Sequence, residues 1–326
     1  PAGYASGVFG KWHLGYEPQF NPMEHGWDDF FGYMGGNVHY FNHRETSDLH
    51  VLYRGRLPVH TEGYMTHLIT DSSINFIERN KDKPFFLWLA ALDPHRPYDK
   101  QILKNHTKPK DVALPPYVPD TPEVRGDYAL YYDEIRRLDR FIGEVMAELK
   151  RQQIDEETLV LFISDNGRPM PRDKTTLYDS GVRTPWLVRW PGKIKAGSDC
   201  TRVITHTDLF ATAVEVAGAT IPKGAAADSY SYLALLLGNE KKYSRPPVIH
   251  HSSGGMFAIR EGDWKLILGN GSGGRQQPRG KPFAKPYILS NIRADQAETK
   301  NHSETESKIA SRLEAAFVKI QKNERK

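Results

Sequence analysis

A chain of 326 residues that is 39% hydrophobic is long enough for one large α/β core with a small appended unit, or for two domains. Its 44 Lys and Arg against 40 Asp and Glu leave a net charge of +4 with the basic residues scattered, which argues against a nucleic-acid surface, and the lone Cys200 excludes an intrachain disulfide and a thiolate zinc site. No apolar run approaches the roughly 20 residues that a membrane-spanning helix needs; the longest, 85–92, is strand-sized.

The first run, Tyr4-Ala5-Ser6-Gly7-Val8-Phe9, reads as a strand leading into Gly10-Lys11-Trp12-His13-Leu14-Gly15. Glycines on both sides free the backbone to carry Lys11 and His13 out of the strand end toward one ligand, and a cation beside an imidazole suits an anion. A surface turn with solvated basic side chains fits the same six residues equally well. The stretch 21–36, rich in aromatics and glycine and without sustained periodicity, reads as ordered loop. His39, His43, His50 and His60 follow in a polar stretch; they invite a metal site, but build no compact ligand pair on a helix and read as solvated loop histidines.

Apolar residues at Tyr64, Leu68, Ile74 and Ile77 predict a helix over 61–80. The run 85–92 that follows is apolar on both faces, the pattern of a parallel strand covered by helices. It ends in Asp93-Pro94-His95-Arg96-Pro97-Tyr98, where prolines on either side pin His95 at the carboxyl end of a strand. Open α/β sheets bind their ligands at such ends, although a structural histidine satisfies the pattern as well. Pro109, Pro115, Pro116, Pro119 and Pro122 mark an extended connection, with Thr121 as N-cap and Pro122 at the first position of a long amphipathic helix. Its apolar stripe runs from Tyr128 to Leu149, and Asp133, Arg136, Arg137, Asp139 and Arg140 are expected on its solvated face.

A second buried strand, 158–163, ends in Ser164-Asp165-Asn166-Gly167. Asn-Gly commonly marks a hairpin turn, but Pro169 and Pro171 remove the donors a tight return strand needs. A carboxylate and an amide oxygen side by side at a strand end are good hard-cation ligands, so Asp165 and Asn166 are candidate Ca2+ or Mg2+ ligands. Lys174 lies a loop's length away, before Tyr178-Asp179-Ser180-Gly181-Val182-Arg183 and a strand over 186–190. A helix over 208–216, capped by Thr207 or His206, is followed by short alternating segments at 248–250, 257–260 and 264–268 that read as an antiparallel unit. The stretch 269–285 reads as a mobile surface loop, and Ile309, Leu313, Phe317 and Ile320 mark a final amphipathic helix.

In this order, Gly-Lys-Trp-His, Pro-His-Arg-Pro, Ser-Asp-Asn-Gly with the downstream Lys174, and Ile259-Arg260-Glu261-Gly262-Asp263-Trp264-Lys265-Leu266 resemble the type I sulfatases of the alkaline-phosphatase-like superfamily. The resemblance covers nearly the whole chain. It implies an α/β fold with a mostly parallel sheet flanked by helices, and a small C-terminal antiparallel sheet plus helix. The expected division is an α/β core over 1–243 and a C-terminal α+β subdomain over 244–326. It further implies that Asp165 and Asn166 ligate a divalent cation, usually calcium, and that Lys11, His13, His95 and Lys174 contact the sulfate or the leaving oxygen. Cations and donors placed in advance around a tetrahedral monoanion favour loading charge onto the leaving oxygen. An imidazole with a free pKa of about 6.5 is suited to protonate it.

The family attacks with a formylglycine made from Cys or Ser in a Cys/Ser-x-Pro/Ala-x-Arg motif and completes its metal site with an early Asp pair. Neither is expected within these residues: Cys200 does not match the motif, and Asp28-Asp29 falls after the Lys-Trp-His loop. Both are expected upstream of Pro1, so the chain by itself is expected to be inactive. The implied substrate is a sulfated small molecule or saccharide, and the implied location is periplasmic, secreted or lysosomal. A phosphonate or phosphate monoesterase of the same fold, and a noncatalytic oxyanion-binding protein, are the alternatives.

Overall fold

The computed structural model describes residues 2–45, 51–98 and 103–323. They divide into two compact units, 1–158 and 159–326, so residue 244, the expected start of a C-terminal subdomain, lies inside the second.

The first unit is built on a five-stranded sheet. Strand β1 (Ala5–Lys11) sits between β2 (Asp29–Tyr33) and β5 (Phe85–Ala90) and pairs in parallel with both. Two short strands, β3 (Leu52–Arg54) and β4 (Leu57–Pro58), extend the β2 side antiparallel, giving the order β4-β3-β2-β1-β5. The stretch expected as loop over 21–36 thus contains a strand. Asp29-Phe30-Phe31-Gly32-Tyr33 is too short and too apolar to show alternation, and its partner β1 supplies the order that local pattern does not. Helix α1 (Met65–Asn80) and helix α2 (Pro122–Arg151) pack on this sheet through Met65, Ile69, Phe76 and Phe141, which share one core with Phe9, Phe31 and Tyr33. Thr121 caps α2 as expected, its hydroxyl accepting from the Val124 amide at 3.3 Å.

Two expectations change. Strand β5 is not covered on both faces: it lies at the sheet edge, and Phe86 and Trp88 are each 40% exposed. On α2, Asp133 and Arg137 are buried rather than solvated, as is Glu134 between them. The residues before the helix fold over it, and Asp133 accepts from the Thr107 amide at 2.9 Å, the Thr107 hydroxyl at 2.7 Å and His106 Nδ1 at 2.9 Å. Charge on a helix goes inside when such partners replace water.

The second unit opens with β6 (Val160–Ile163), which pairs antiparallel with β7 (Trp186–Arg189) in a two-stranded sheet. All four β6 residues are half-buried, so the strand is not the fully covered one its apolar run suggests. Between them lies α3 (Asp179–Val182), and after them come α4 (Asp208–Val216) and α5 (Leu233–Leu236). The first turn of α4 is held by Asp208, whose Oδ2 accepts from the Thr205 amide at 2.8 Å; neither His206 nor Thr207 acts as a side-chain cap. The antiparallel unit is a four-stranded sheet of β8 (Val248–His251), β9 (Phe257–Glu261), β10 (Trp264–Ile267) and β11 (Ile288–Asn291), in the order β11-β10-β9-β8. The final helix α6 (Ser307–Asn323) buries Leu313 and Phe317 against Ile259, Leu266, Leu268 and Leu289.

Candidate active site

Lys11 closes β1, and the backbone around it can be followed atom by atom. Gly10 has φ +109°, and a Cβ there would lie 2.0 Å from the Ala90 carbonyl oxygen; a Cβ on Gly32 would lie 1.9 Å from the Gly10 oxygen. The strands β2, β1 and β5 approach so closely at this level that only glycine fits, which is the physical reason for the first glycine of the motif. Beyond it the Trp12 and His13 amides donate to the Tyr33 and Met34 carbonyls at 3.0 and 3.1 Å, so the loop still follows β2. His13 takes a left-handed φ of 59°, and its ring lies over Gly36, where a Cβ would stand 2.6 Å from Nε2. Tyr16 flanks the loop, donating to Glu45 Oε1 at 2.7 Å, and that bond pushes its hydroxyl up to about 12.

His95 stands at the carboxyl end of β5, beside β1, so the structure brings Lys11, His13 and His95 to the same end of adjacent parallel strands. The His95 amide donates to the Leu92 carbonyl at 2.9 Å, and the Tyr40 hydroxyl donates to the His95 carbonyl at 2.9 Å. Its Nδ1 lies 2.6 Å from the Arg96 carbonyl. A carbonyl only accepts, so Nδ1 carries a proton and the ring's second nitrogen, Nε2, is the one that can gain or lose a proton without breaking this bond.

Beneath this turn Asp93 is buried, accepting from the Tyr64 hydroxyl at 2.7 Å, from the Thr66 hydroxyl, and from Arg137 Nε at 3.4 Å. Arg137 also pairs with the buried Glu134. Burial, then a hydrogen bond to Asp93 and the negative charge of Asp93, push the Glu134 carboxyl up to about 8 against the opposing pull of Arg137. Sequence reasoning missed this cluster because on α2 its members look like an ordinary charged face.

In the second unit, Asp165 and Asn166 follow β6 directly; Asp165 is exposed and Asn166 half-buried. The Ser164 hydroxyl donates to the Asn166 carbonyl at 3.0 Å, and His206 Nε2 lies 2.8 Å from the Ser164 carbonyl. The Gly167 amide donates to the Gly181 carbonyl at 2.9 Å, so the Asp-Asn-Gly step is a tethered turn and not a hairpin. Lys174 is returned to this turn by its own amide, which donates to the Arg168 carbonyl at 3.0 Å, while Arg168 Nε bonds the buried Asp173 at 2.8 Å. Two backbone bonds, one closing 168–174 and one closing 167–181, therefore begin just after Asn166 and return the chain bearing Lys174 toward it. Thr175, next to Lys174, has a φ of +80°, a conformation that costs a β-branched residue on the order of 1–3 kcal/mol and that persists only where the surroundings enforce it.

Those surroundings come from the antiparallel sheet. Lys265 on β10 is fully buried, donates to the Leu177 carbonyl at 2.6 Å and pairs with Glu298 Oε1 at 2.8 Å. Glu298 in turn accepts from the Asp179 amide, and Arg260 on β9 donates to Asp179 Oδ1 at 3.0 Å. Arg172 stacks on Tyr178 with its guanidinium carbon 4.0 Å from the ring centre. The pattern of Ile259 to Leu266 predicts a hairpin, and its residues join the family resemblance; that Arg260 and Lys265 reach Asp179 and Leu177, in the segment after Lys174, is a tertiary fact.

The donor set at 165–166 fits a hard cation in kind: one carboxylate and one amide oxygen, part of the roughly six to eight oxygens that calcium takes. Among the described residues no group of three or more His, Cys, Asp or Glu forms a closed metal site. His43 is buried, with Nε2 3.0 Å from the Gly63 carbonyl, and His39 Nδ1 accepts from the Phe41 amide at 3.2 Å. His43 is thus a core histidine and not a solvated one; His50 lies outside the described residues.

In the first unit a lysine and two histidines stand at the ends of parallel strands, and in the second a carboxylate and an amide oxygen follow a strand end; residues of these types suit a protein that handles oxyanions. The sulfatase family model matches residues 1–219, and the model of the N-sulphoglucosamine sulphohydrolase C-terminal region matches residues 171–268. The chain belongs to the sulfatase family. It is 28% identical over 292 residues to the N-acetylgalactosamine-6-sulfatase of Canis lupus familiaris, covering 81% of this chain and 52% of the relative. It is 27% identical over 298 residues to the arylsulfatase of Hemicentrotus pulcherrimus, covering 81% and 49%. The chain thus spans about half the length of these curated relatives. The crystal structure of Ps i-CgsB in complex with k-i-k-neocarrahexaose superposes with a TM-score of 0.77 at 25% identity, covering 98% of this chain and 71% of that one.

Proposed function

We propose that the protein hydrolyses a sulfate ester on a saccharide. The observation that carries the reading is the placement of Lys11, His13 and His95 at the carboxyl ends of the adjacent parallel strands β1 and β5, in a chain of the sulfatase family. The name of the canine relative, which acts on a sulfated amino sugar, and the oligosaccharide bound by Ps i-CgsB support a carbohydrate as the substrate class.

In the first unit Lys11 and His13 bind sulfate oxygens. The Gly10 crossing fixes the backbone that carries Lys11, and the seat on Gly36 fixes the His13 ring, which limits the reorganisation needed as charge develops. His95 holds its Nδ1 proton on the Arg96 carbonyl and, when protonated at Nε2, delivers that proton to the leaving sugar oxygen. In the second unit Lys174 binds the sulfate or the leaving oxygen, oriented by the strained step at Thr175. Asp165 and Asn166 would hold a divalent cation, calcium or magnesium, which when bound polarises the sulfate group. The attacking group is taken to be the formylglycine that the family resemblance implies.

The test is release of inorganic sulfate from sulfated oligosaccharides by the intact protein, with and without EDTA dialysis. Lys11→Ala and His95→Ala are each expected to lower kcat by roughly a hundred- to a thousandfold, the effect of losing one preorganised donor or acid. EDTA is expected to lower sulfate release, and added Ca2+ to restore it. No sulfate released from any saccharide or aryl sulfate, or full activity in both variants, would overturn the reading.

A further inference from the structure

The 269–285 loop contains Arg275, Arg279, Lys281 and Lys285 and no acidic residue. It is not the loose surface loop its composition suggests. The Arg275 amide donates to the Thr175 hydroxyl at 3.0 Å, and the Leu177 amide donates to the Ser272 carbonyl at 3.0 Å. A Cβ on Gly274 would lie 2.3 Å from the Thr175 carbonyl oxygen, so the two backbones touch one residue from Lys174. The turn is also closed on itself: the Ser272 and Gly273 amides donate to the Pro278 and Arg279 carbonyls at 3.0 and 2.9 Å, and the Ser272 hydroxyl donates to the Gln276 carbonyl at 2.5 Å. Ser272 and Gly274 are buried at its base, whereas Arg275 and Arg279 are exposed at its tip. A hydrogen-bonded turn that carries two exposed arginines is therefore seated on the backbone next to Lys174.

We propose that the 272–279 turn is a specificity subsite in which Arg275 and Arg279 bind a second anionic group of the glycan, on the sugar next to the one whose sulfate is cleaved. The inference rests on the sulfatase reading and deepens it by assigning a polyanionic saccharide as substrate. The planar fork of arginine matches a carboxylate and a sulfate equally, so the shared chemistry is a planar or tetrahedral oxyanion. Because the turn is ordered by its own hydrogen bonds, binding costs little loop entropy. A small aryl sulfate carries no second anion and leaves the turn unused.

The experiment compares kcat/KM of the intact protein and of Arg275→Ala/Arg279→Ala on p-nitrophenyl sulfate, on a chondroitin sulfate tetrasaccharide, on the same tetrasaccharide with its carboxyl groups reduced, and on a sulfated carrageenan tetrasaccharide. The double variant is expected to lose about tenfold or more on the better tetrasaccharide, chiefly through KM, equivalent to roughly 1.4 kcal/mol. That loss is expected to exceed any loss on the aryl sulfate at least fivefold. Arg275→Lys, which keeps the charge but not the fork, is expected to recover part of it. If carboxyl reduction removes the difference, the second anion is a uronate; if the carrageenan fragment keeps it, a sulfate. Equal losses on aryl and oligosaccharide substrates, or none on either, would overturn the subsite. Should the protein hydrolyse nothing, the sulfatase reading fails separately. Calorimetric binding of the tetrasaccharides then decides: affinity that the double variant loses sustains the subsite, and absence of affinity, or affinity unchanged in the variant, overturns it.

Discussion

Glu134 shows how a single carboxyl group can tie the candidate site to pH. It lies buried on α2 beside Asp93, two residues before His95, with Arg137 as their common cation. One cation between two carboxyl groups in a dry setting favours keeping a proton on one of them. The Glu134 carboxyl is accordingly raised from an ordinary value of 4.5 to about 8. In the folded protein it therefore holds a proton that the unfolded chain releases near 4.5, so its contribution to stability is fully present below that pH. The contribution falls as pH rises, and is lost by the time pH passes about 8. Glu134→Gln keeps the shape and removes the titration. The Tm of the parent protein is expected to decline relative to that of the variant across this window, in thermal melts at a series of pH values; parallel curves would show that the group does not titrate there.

Among the elements, the long helices and apolar strands could be read directly, because their periods extend over enough residues to be distinctive. Strand β1, helices α1, α2, α4 and α6, and the β8 to β10 unit all fall where pattern and capping predict. Strands β2, β3, β4 and β11 did not show, being two to five residues long and ordered by their partners. The Gly-Lys-Trp-His loop and the Asp-Asn step stood out as candidates because unusual residue types crowd a strand end, and the structure puts both at strand ends. What lies beneath them, the Asp93 cluster and the Lys265 contacts, was not, since buried charge differs from solvated charge only through distant partners. Gly10 joins both levels, being visible in the motif and needed by the sheet. Gly10→Ala would place a methyl 2.0 Å from the Ala90 oxygen at a φ of +109°. It is expected to push β1 off β5, destabilise the protein by at least about 2 kcal/mol, and lower sulfate release with the fold loss seen by circular dichroism. Leu14→Ala, at an exposed position four residues on, is expected to change stability by less than about 0.5 kcal/mol. A Gly10→Ala protein as stable as the Leu14→Ala protein would mean that the close strand crossing is not needed.

At the scale of the molecule, each unit keeps its own core and its own buried ionic cluster, and in the second unit that cluster joins the antiparallel sheet to the segment bearing Lys174. Burial lowers the Lys265 amine and the nearby Glu298 carboxylate opposes that shift, while the deeply buried His250 is pushed down to about 3, first by burial and then by the charge of Lys265, and so stays neutral. The arrangement thus carries one buried positive charge that Glu298 must balance. Such a pair need not stabilise more than apolar residues of the same size would, yet removing one partner strands the other. Lys265→Met is therefore expected to cost about 3–5 kcal/mol in urea unfolding, and Lys265→Met/Glu298→Gln distinctly less. Because the Lys265 amine also holds the Leu177 carbonyl, amide exchange should quicken over 172–182 in the single variant before global unfolding. If the Lys174 loop depends on this link for its shape, kcat for sulfate release falls in the single variant, and Lys265→Arg, which restores charge but not length, recovers stability more fully than kcat. A single variant that loses stability while exchange over 172–182 and kcat remain at parental values would show that the buried pair serves the core of the sheet alone.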